Sequence, residues 1–219
     1  MNRNLILILV VILSSCGSGK KITETSKDSA ENQLKEGKLL VGATLNHNEL
    51  SSKKGELFLK DFKYLTTANA AKQTRIHPTP DIWNWKLIED FIDFSNKNNL
   101  IVRLHGPISP QASKWVKQDH RTPEELENML EEFATAFAKR FNNEPSVKWM
   151  DVVNETILGI GTWFGPKEGT DKWENPWLKI GLDENGFPLY ILKAFEIANK
   201  HAPNLKFVYN QNVGMEDVM

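Results

Sequence analysis

The chain has 219 residues, of which 40% are hydrophobic and 25% are charged. Its 27 basic and 28 acidic residues nearly balance, and no basic run occurs in the part expected to fold, which argues against nucleic acid as a partner. A single cysteine excludes an internal disulfide, and the five histidines show no spacing typical of metal ligands. We therefore expect no metal and no other cofactor.

Residues 1–15 have the pattern of a bacterial signal peptide. Arg3 precedes the apolar run Leu5–Leu13, which is well short of the roughly 20 residues that a membrane-spanning helix needs and is followed by small residues. Leu13-Ser14-Ser15-Cys16 resembles the lipobox, in which cleavage precedes a cysteine that becomes lipidated. A plain secretory signal with an incidental cysteine is the alternative. We expect Cys16 to anchor a lipoprotein in the bacterial cell envelope, facing the periplasm or the exterior without crossing the membrane.

Residues 16–36 are predicted to be a flexible tether between this anchor and the folded part. Beyond Cys16 they are rich in Lys, Glu, Ser, Thr and Asn, and such a segment buries too little apolar surface to order itself. Residues 37–219 contain every aromatic residue and the periodic apolar patterns. They are predicted to form one folded domain, which we expect to be monomeric.

Strands and helices alternate along this domain. The helix that begins at Thr122 has a proline in its first turn and a capping box closed by Glu125. Spacings of three and four between apolar residues identify the helices. The predicted strands are Leu39–Asn46, Tyr64–Asn69, Leu100–His105, Lys148–Glu155 and Leu205–Asn210, and the predicted helices are Trp85–Asn98, Thr122–Phe141 and Leu189–Lys200. This alternation predicts right-handed crossovers and a parallel sheet.

Polar residues end each predicted strand: Asn46, Asn69, His105, Asn154 with Glu155, and Asn210. Because the carboxyl ends of parallel strands meet at one edge, these residues suggest a common polar rim, as at the top of a barrel. We predict an α/β fold, a (β/α)8 TIM barrel, of which the chain contains about the first five βα units. An open doubly wound sheet is the alternative, although no glycine-rich phosphate turn follows the first strand.

The segment of residues 156–187 is much longer than a usual connection between a strand and a helix, and loops of that length are usually functional or disordered. It contains Trp163, Phe164, Trp173 and Trp177 among several glycines. Exposed aromatic rings beside a polar rim suit the apolar faces of sugars. The alternative is that these rings pack the loop onto the barrel.

The fourth predicted strand resembles a known family signature. Trp149-Met150-Asp151-Val152-Val153-Asn154-Glu155 is similar to the Trp-Asp-Val-Val-Asn-Glu motif of glycoside hydrolase family 10, the endo-1,4-β-xylanases, with Met150 standing where that tryptophan usually is. Other segments also match the family, in the family's order, from about Leu39 to the end of the sequence. They are Leu65–Lys72 with the family's Leu-Thr-Pro-Glu-Asn-x-Met-Lys, Val102–His105 with its Arg-Gly-His strand, Gln111 and Trp115 with the tail of that motif, Trp177–Gly181 with the stretch before the fourth helix, and Tyr209-Asn210 with the fifth strand.

The resemblance implies a retaining glycosidase that cleaves internal β-1,4 bonds of xylan or a related plant or algal polysaccharide. Glu155 is then the general acid/base, which protonates the departing glycosidic oxygen, and Asn154 holds the sugar beside that bond. The other implied sugar-binding residues are Asn69, Lys72, His105, Gln111, Trp115 and Asn210. For His105, the alternative to sugar binding is a hydrogen bond inside the core.

Some features depart from the family pattern. Ala68 stands where the family has a sugar-binding glutamate, and Ile108-Ser109-Pro110 replaces Val-Trp-His, which weakens the expectation of xylan specificity more than that of the reaction type. The family's nucleophile is a glutamate after the seventh strand, whereas this sequence reaches only the fifth. We therefore expect the 219 residues alone to be inactive. Another retaining barrel glycosidase and a non-catalytic glycan-binding surface lipoprotein are the alternatives.

Overall fold

The computed structural model describes residue 32 and residues 35–212. The predicted signal peptide, Cys16 and all of the predicted tether except residues 32, 35 and 36 lie outside this range. Within the described part of the chain, no helix is both long enough and apolar enough to cross a membrane.

Among the described residues, five parallel strands form one sheet, and their order in the sheet is their order in the sequence. The strands are β1 Gly42–Thr44, β2 Tyr64–Thr66, β3 Ile101–Leu104, β4 Val147–Asn154 and β5 Lys206–Asn210. The helices are α1 Lys53–Asp61, α2 Gln73–Ile76, α3 Lys86–Asn98, α4 Pro123–Phe141 and α5 Leu189–His201, with 3-10 helices at His47–Glu49 and Pro176–Ile180. The carboxyl ends of all five strands therefore lie at one edge, as predicted.

Helix α4 has the start that its sequence predicts. The Thr122 hydroxyl accepts a hydrogen bond from the Glu125 amide at 3.2 Å, and the Glu125 carboxylate accepts one from the Thr122 amide at 2.8 Å. Its buried face carries Phe133, Phe137 and Phe141. The last two contact the ring of Trp85, just before α3, with centroids 6.3 and 5.9 Å apart, so aromatic packing joins α3 to α4.

Two predicted strands are shorter than expected, and two helices were not predicted. The strands predicted at Leu39–Asn46 and Tyr64–Asn69 contain only Gly42–Thr44 and Tyr64–Thr66. Asn46 lies beyond the strand, and its main-chain and side-chain nitrogens both donate to the Glu49 carboxylate, at 2.8 and 3.2 Å. Asn46 is therefore held at a helix start, where a strand-end residue was predicted.

The short helices α1 and α2 have weak sequence signals. In α1 only Gly55 and Phe58 are buried, so the segment has no apolar stripe. A Cβ at Gly55 would lie 2.5 Å from the Leu50 carbonyl oxygen, so glycine is required by close backbone approach. Helix α2 has only four residues, too few for a periodic pattern.

Candidate active site

Glu155 directly follows β4 and has a strained backbone. Its φ of +55° lies in the left-handed region, which residues other than glycine rarely adopt. The Glu155 amide donates to the carbonyl oxygen of Asn210 at 3.0 Å, so the neighbouring strand holds this conformation. Strained residues cluster at functional sites. The half-buried Glu155 is thus placed at the carboxyl edge of the sheet by rigid backbone.

Asn154 is buried beside Glu155, with 1% of its surface exposed. Its amide donates to the Ile108 carbonyl oxygen at 2.9 Å, and its side-chain oxygen accepts a hydrogen bond from Nδ2 of Asn210 at 2.6 Å. Its own Nδ2 is buried and has no hydrogen-bond partner among the described residues. A buried donor left unpaired costs about 1–3 kcal/mol, and a sugar hydroxyl at this position would satisfy it.

Beneath Asn154, a fully buried carboxylate joins three strands. Asp151, with no exposed surface, accepts hydrogen bonds from Nε of Arg103 at 2.6 Å and from Nδ1 of His105 at 2.8 Å. Arg103 also donates to the side-chain oxygen of Asn210 at 3.3 Å. A buried charge is retained only when it is paired. The network therefore fixes the side chains of β3, β4 and β5 at the polar rim.

His105 belongs to this network and also reaches the surface. One quarter of its side chain is exposed, while its Nδ1 is engaged by Asp151. The bond to a buried carboxylate matches the core role considered from the sequence, and the exposed part leaves the ring accessible at the rim. The carboxylate orients the imidazole in either case.

Lys72 places a buried amine next to the two carboxylates. Only 2% of the surface of Lys72 is exposed. This burial lowers the pKa of Lys72 from 10.5 to about 8, although the negative charges of Glu155 and Asp151 act to raise it. Room for this side chain depends on Gly106, where an added Cβ would lie 2.6 Å from Nζ of Lys72 and 2.7 Å from Cβ of Asn154. The structure thus brings Lys72, Asn154 and Glu155 together.

The remaining residues predicted to bind sugar have different surroundings. Asn69 is exposed, and its carbonyl oxygen accepts a hydrogen bond from the Lys72 amide at 3.1 Å. Gln111 is half-buried, and its Oε1 is buried without a partner among the described residues. The indole N–H of Trp115 donates to the His77 carbonyl oxygen at 3.0 Å, and its ring packs edge-on against His77. Trp115 therefore has its one donor engaged inside the protein.

Gln211 is a structural residue of the site that the sequence did not reveal. Its Oε1 accepts hydrogen bonds from the amides of Thr156 and Ile157 at 2.8 and 3.1 Å, and its Nε2 donates to the Ile157 carbonyl oxygen at 2.8 Å. The Thr156 hydroxyl also hydrogen bonds to that of Tyr209. These contacts hold the chain immediately after Glu155. Asp151 and Arg103 were likewise given no role, although a carboxylate within an apolar strand is itself a signal of a buried pair.

The aromatic rings of residues 156–187 divide between the two roles considered from the sequence. Phe164 and Trp177 are only 3% and 1% exposed, so they pack the loop onto the barrel. Trp163 is half-buried and donates to the Gly186 carbonyl oxygen at 2.9 Å. Trp173 is 50% exposed, with its ring centroid 6.0 Å from that of Phe164. Of the four, Trp173 presents the most open surface to a ligand.

Five parallel strands in sequence order, with an amide and a carboxylate at the carboxyl end of the fourth, have the arrangement of part of a barrel whose site lies at the carboxyl edge of its strands. Residues 29–217 match glycosyl hydrolase family 10, and the chain belongs to this family. The predicted (β/α)8 barrel is thereby confirmed, and the alternative of an open doubly wound sheet is wrong.

The chain is similar to several xylanases. Endo-1,4-beta-xylanase B of Thermotoga neapolitana is 31% identical over 157 residues, or 71% of this chain and 40% of that protein. Endo-1,4-beta-xylanase A of Caldicellulosiruptor saccharolyticus is 29% identical over 177 residues, or 78% of this chain and 47% of that protein. The crystal structure of xylanase 10B from Thermotoga petrophila RKU-1 in complex with xylobiose has a TM-score of 0.67 at 27% identity, covering 86% of this chain and 54% of that one. The chain spans about half the length of these relatives.

Proposed function

We propose that the protein acts as a retaining endo-1,4-β-xylanase on xylan or a related plant or algal polysaccharide, with Glu155 as its general acid/base. The observation that carries this proposal is the environment of Asn154. Its side-chain oxygen accepts from Asn210 at 2.6 Å, while its buried Nδ2 has no hydrogen-bond partner among the described residues, and Glu155 is the next residue along the chain. The similarity to proteins described as endo-1,4-beta-xylanases supports the same reaction.

In this mechanism Glu155 protonates the glycosidic oxygen, so that the bond breaks as the leaving sugar departs. A second carboxylate, placed about 5 Å away in retaining enzymes, attacks the sugar carbon and forms a covalent intermediate. Glu155 then removes a proton from the water that releases the product. Lys72 stabilises the charged Glu155 carboxylate between these steps, because its ammonium group acts on it electrostatically. Asn154 donates to a hydroxyl of the sugar beside the broken bond.

Release of reducing ends from neutral β-1,4-xylan by a protein that also carries the family's nucleophile strand tests the activity, and NMR of the first product tests whether the anomeric configuration is retained. Glu155→Gln should abolish cleavage of poor leaving groups, because the amide cannot protonate the oxygen, while binding of xylo-oligosaccharides is preserved. Glu196→Gln, which makes the same substitution at an exposed glutamate on α5, is the control. Unchanged turnover in the Glu155→Gln protein would dispose of the acid/base role.

A second candidate is glycan binding without catalysis. Ala68, at the position of a family glutamate, has a left-handed backbone with φ of +36° and offers no polar side chain to a sugar. This candidate is supported if xylo-oligosaccharides bind while no bond is cleaved, and it is dismissed by hydrolysis. A different retaining barrel glycosidase is the outcome if another β-glycan is cleaved and xylan is not.

The proposal also includes the place where the protein acts. A lipid on Cys16 would hold a monomeric enzyme at a membrane of the cell envelope, facing the periplasm or the exterior, where polysaccharide is available. The lipobox-like Leu13-Ser14-Ser15-Cys16 supports this anchor. Replacing Cys16 by Ser should move the protein from the membrane fraction to the soluble fraction of the envelope. Retention of the variant in the membrane would refute lipid attachment at this residue.

A further inference from the structure

A groove of about 340 Å³ lies between residues that follow β2, residues that follow β3 and the long loop that follows β4. Ligand pockets typically have volumes of about 300–1,000 Å³. Two of its lining residues, Asn69 and Gln111, belong to the predicted sugar-binding set. The groove is lined by Asn69, Thr74, Arg75, Pro110, Gln111, Ala112, Lys117, Asp171, Lys172 and Trp173. The groove therefore shares residues with the predicted sugar-binding set.

Residues 171–173 form one wall of this groove, and two contacts hold this wall against the segment 114–117. Nζ of Lys117 donates to the Lys172 carbonyl oxygen at 2.9 Å, and Lys114 forms an ion pair with Asp171. Trp173 follows directly, and its half-exposed ring packs on one side against Phe164. The wall thus offers an aromatic surface that is backed by protein and suits the apolar face of a sugar.

The charges of the groove are mostly positive and partly unpaired. Arg75, Lys117 and Lys172 line it, and the only acidic lining residue, Asp171, is already paired with Lys114. The side chains of Arg75 and Lys172 are exposed and have no partner among the residues that the structure describes. A guanidinium matches the geometry of a carboxylate through two parallel hydrogen bonds. Both charges are therefore accessible to an anionic ligand.

We propose that this groove binds a uronic acid of the polysaccharide, with Arg75 and Lys172 holding its carboxylate and Trp173 packing against its ring. The inference rests on the proposed function and adds to it a preference for acidic glycans. The neighbouring Asn69 and Gln111 contact the same sugar or the adjoining neutral one, and Oε1 of Gln111, buried and without a partner among the described residues, accepts from a hydroxyl once its side chain turns towards the sugar.

Isothermal titration calorimetry with three matched ligands tests this inference. The ligands are a neutral β-1,4-xylo-oligosaccharide, the same oligosaccharide carrying glucuronic acid, and the latter after its carboxyl group has been reduced to an alcohol. The acidic ligand should bind about fivefold more tightly than its reduced form, because it gains charge-assisted hydrogen bonds, and the difference should shrink in high salt. The double variant Arg75→Gln/Lys172→Gln should lose this difference and keep its affinity for the reduced ligand.

The control variant Lys60→Gln/Lys97→Gln removes the same charge from two exposed lysines outside the groove and should retain the difference. Equal affinity for the acidic and reduced ligands overturns the inference and leaves the proposed function intact. Failure of all three ligands to bind overturns both. If a sulfated oligosaccharide binds as tightly as the uronate, the groove accepts anions in general and the assignment to uronic acid is wrong.

Discussion

The side-chain amide of Asn210 donates to Oδ1 of Asn154 at 2.6 Å, across the paired carboxyl ends of β5 and β4. Nδ2 of Asn154 is left buried without a hydrogen-bond partner among the described residues. At the same ends, the Asn210 carbonyl oxygen accepts from the Glu155 amide at 3.0 Å. Asn210 of β5 therefore positions both Asn154, the predicted sugar-binding residue, and Glu155, the predicted acid/base.

Asn210→Asp tests this relationship. At neutral pH a carboxylate cannot donate to Oδ1 of Asn154, so Asn154 loses its fixed orientation, and the affinity for xylo-oligosaccharides should fall about tenfold, or about 1.4 kcal/mol. Calorimetric titration measures the change. Asn185→Asp, in an exposed turn, introduces the same charge and should bind as the unmodified protein does. A folded Asn210→Asp protein with unaltered affinity would show that the contact has no role in binding.

Removing the charge of Asp151 should destabilise the fold strongly. Asp151→Asn leaves Arg103 without the carboxylate that it contacts at 2.6 Å, and breaking a buried pair in this way costs about 3–5 kcal/mol. Urea unfolding, with the slope held constant between variants, gives the free energy of unfolding. The double variant Asp151→Leu/Arg103→Met should recover part of the loss, because neither charge is then left unpaired. Additive losses in the double variant would contradict a direct pairing.

The stability of the protein should depend on pH through Lys72. Its pKa is about 8 in the folded protein and 10.5 ordinarily, so between these values the unfolded chain binds more protons and stability rises with pH. Each pKa unit corresponds to about 1.4 kcal/mol, which gives a rise of roughly 3 kcal/mol across this interval. Below pH 8 the cost of burying the charged amine is present in full.

Lys72→Met should lack this contribution, because methionine fills similar space without a charge. The measurement is the difference in unfolding free energy between the two proteins at pH 8 and at pH 10.5, which cancels the titration of other groups. Lys53→Met, at an exposed position in α1, should follow the unmodified protein. Parallel curves for the Lys72→Met and unmodified proteins would show that Lys72 titrates normally.

Gly106 and Gly161 form a matched pair for testing close packing at the site. Both have positive φ, +54° and +79°, but an added Cβ at Gly161 has nothing within 4 Å, whereas at Gly106 it meets Lys72 and Asn154 at 2.6 and 2.7 Å. Gly161→Ala should therefore cost only about 1 kcal/mol of backbone strain. Gly106→Ala should cost about 2 kcal/mol more and also weaken oligosaccharide binding, since Asn154 must move. If both variants lose the same stability in thermal unfolding, Lys72 and Asn154 can move away from the added methyl group without loss of stability.

Local patterns in the sequence predicted the long elements well. The capping residues of α4, Thr122 and Glu125, contact each other within three positions, so their pairing is readable from spacing alone. The strand Val147–Asn154 is an apolar run whose end is marked by the polar pair Asn154-Glu155. Helix α1 escaped prediction because tertiary contacts of Phe58 and close approach at Gly55, rather than periodicity, keep it in place.

By itself the sequence determined the parallel alternation of strands and helices, the edge at which polar groups collect, and the strand that ends in Glu155. These depend on the periodicity of apolar residues and on caps, which are properties of neighbouring positions. Only the tertiary structure decided that Asp151 pairs with Arg103 and His105, that Gln211 secures Thr156, and which loop aromatics are buried. Those contacts join residues about 50 positions apart, and their geometry follows from sheet register and side-chain packing, which no local pattern encodes.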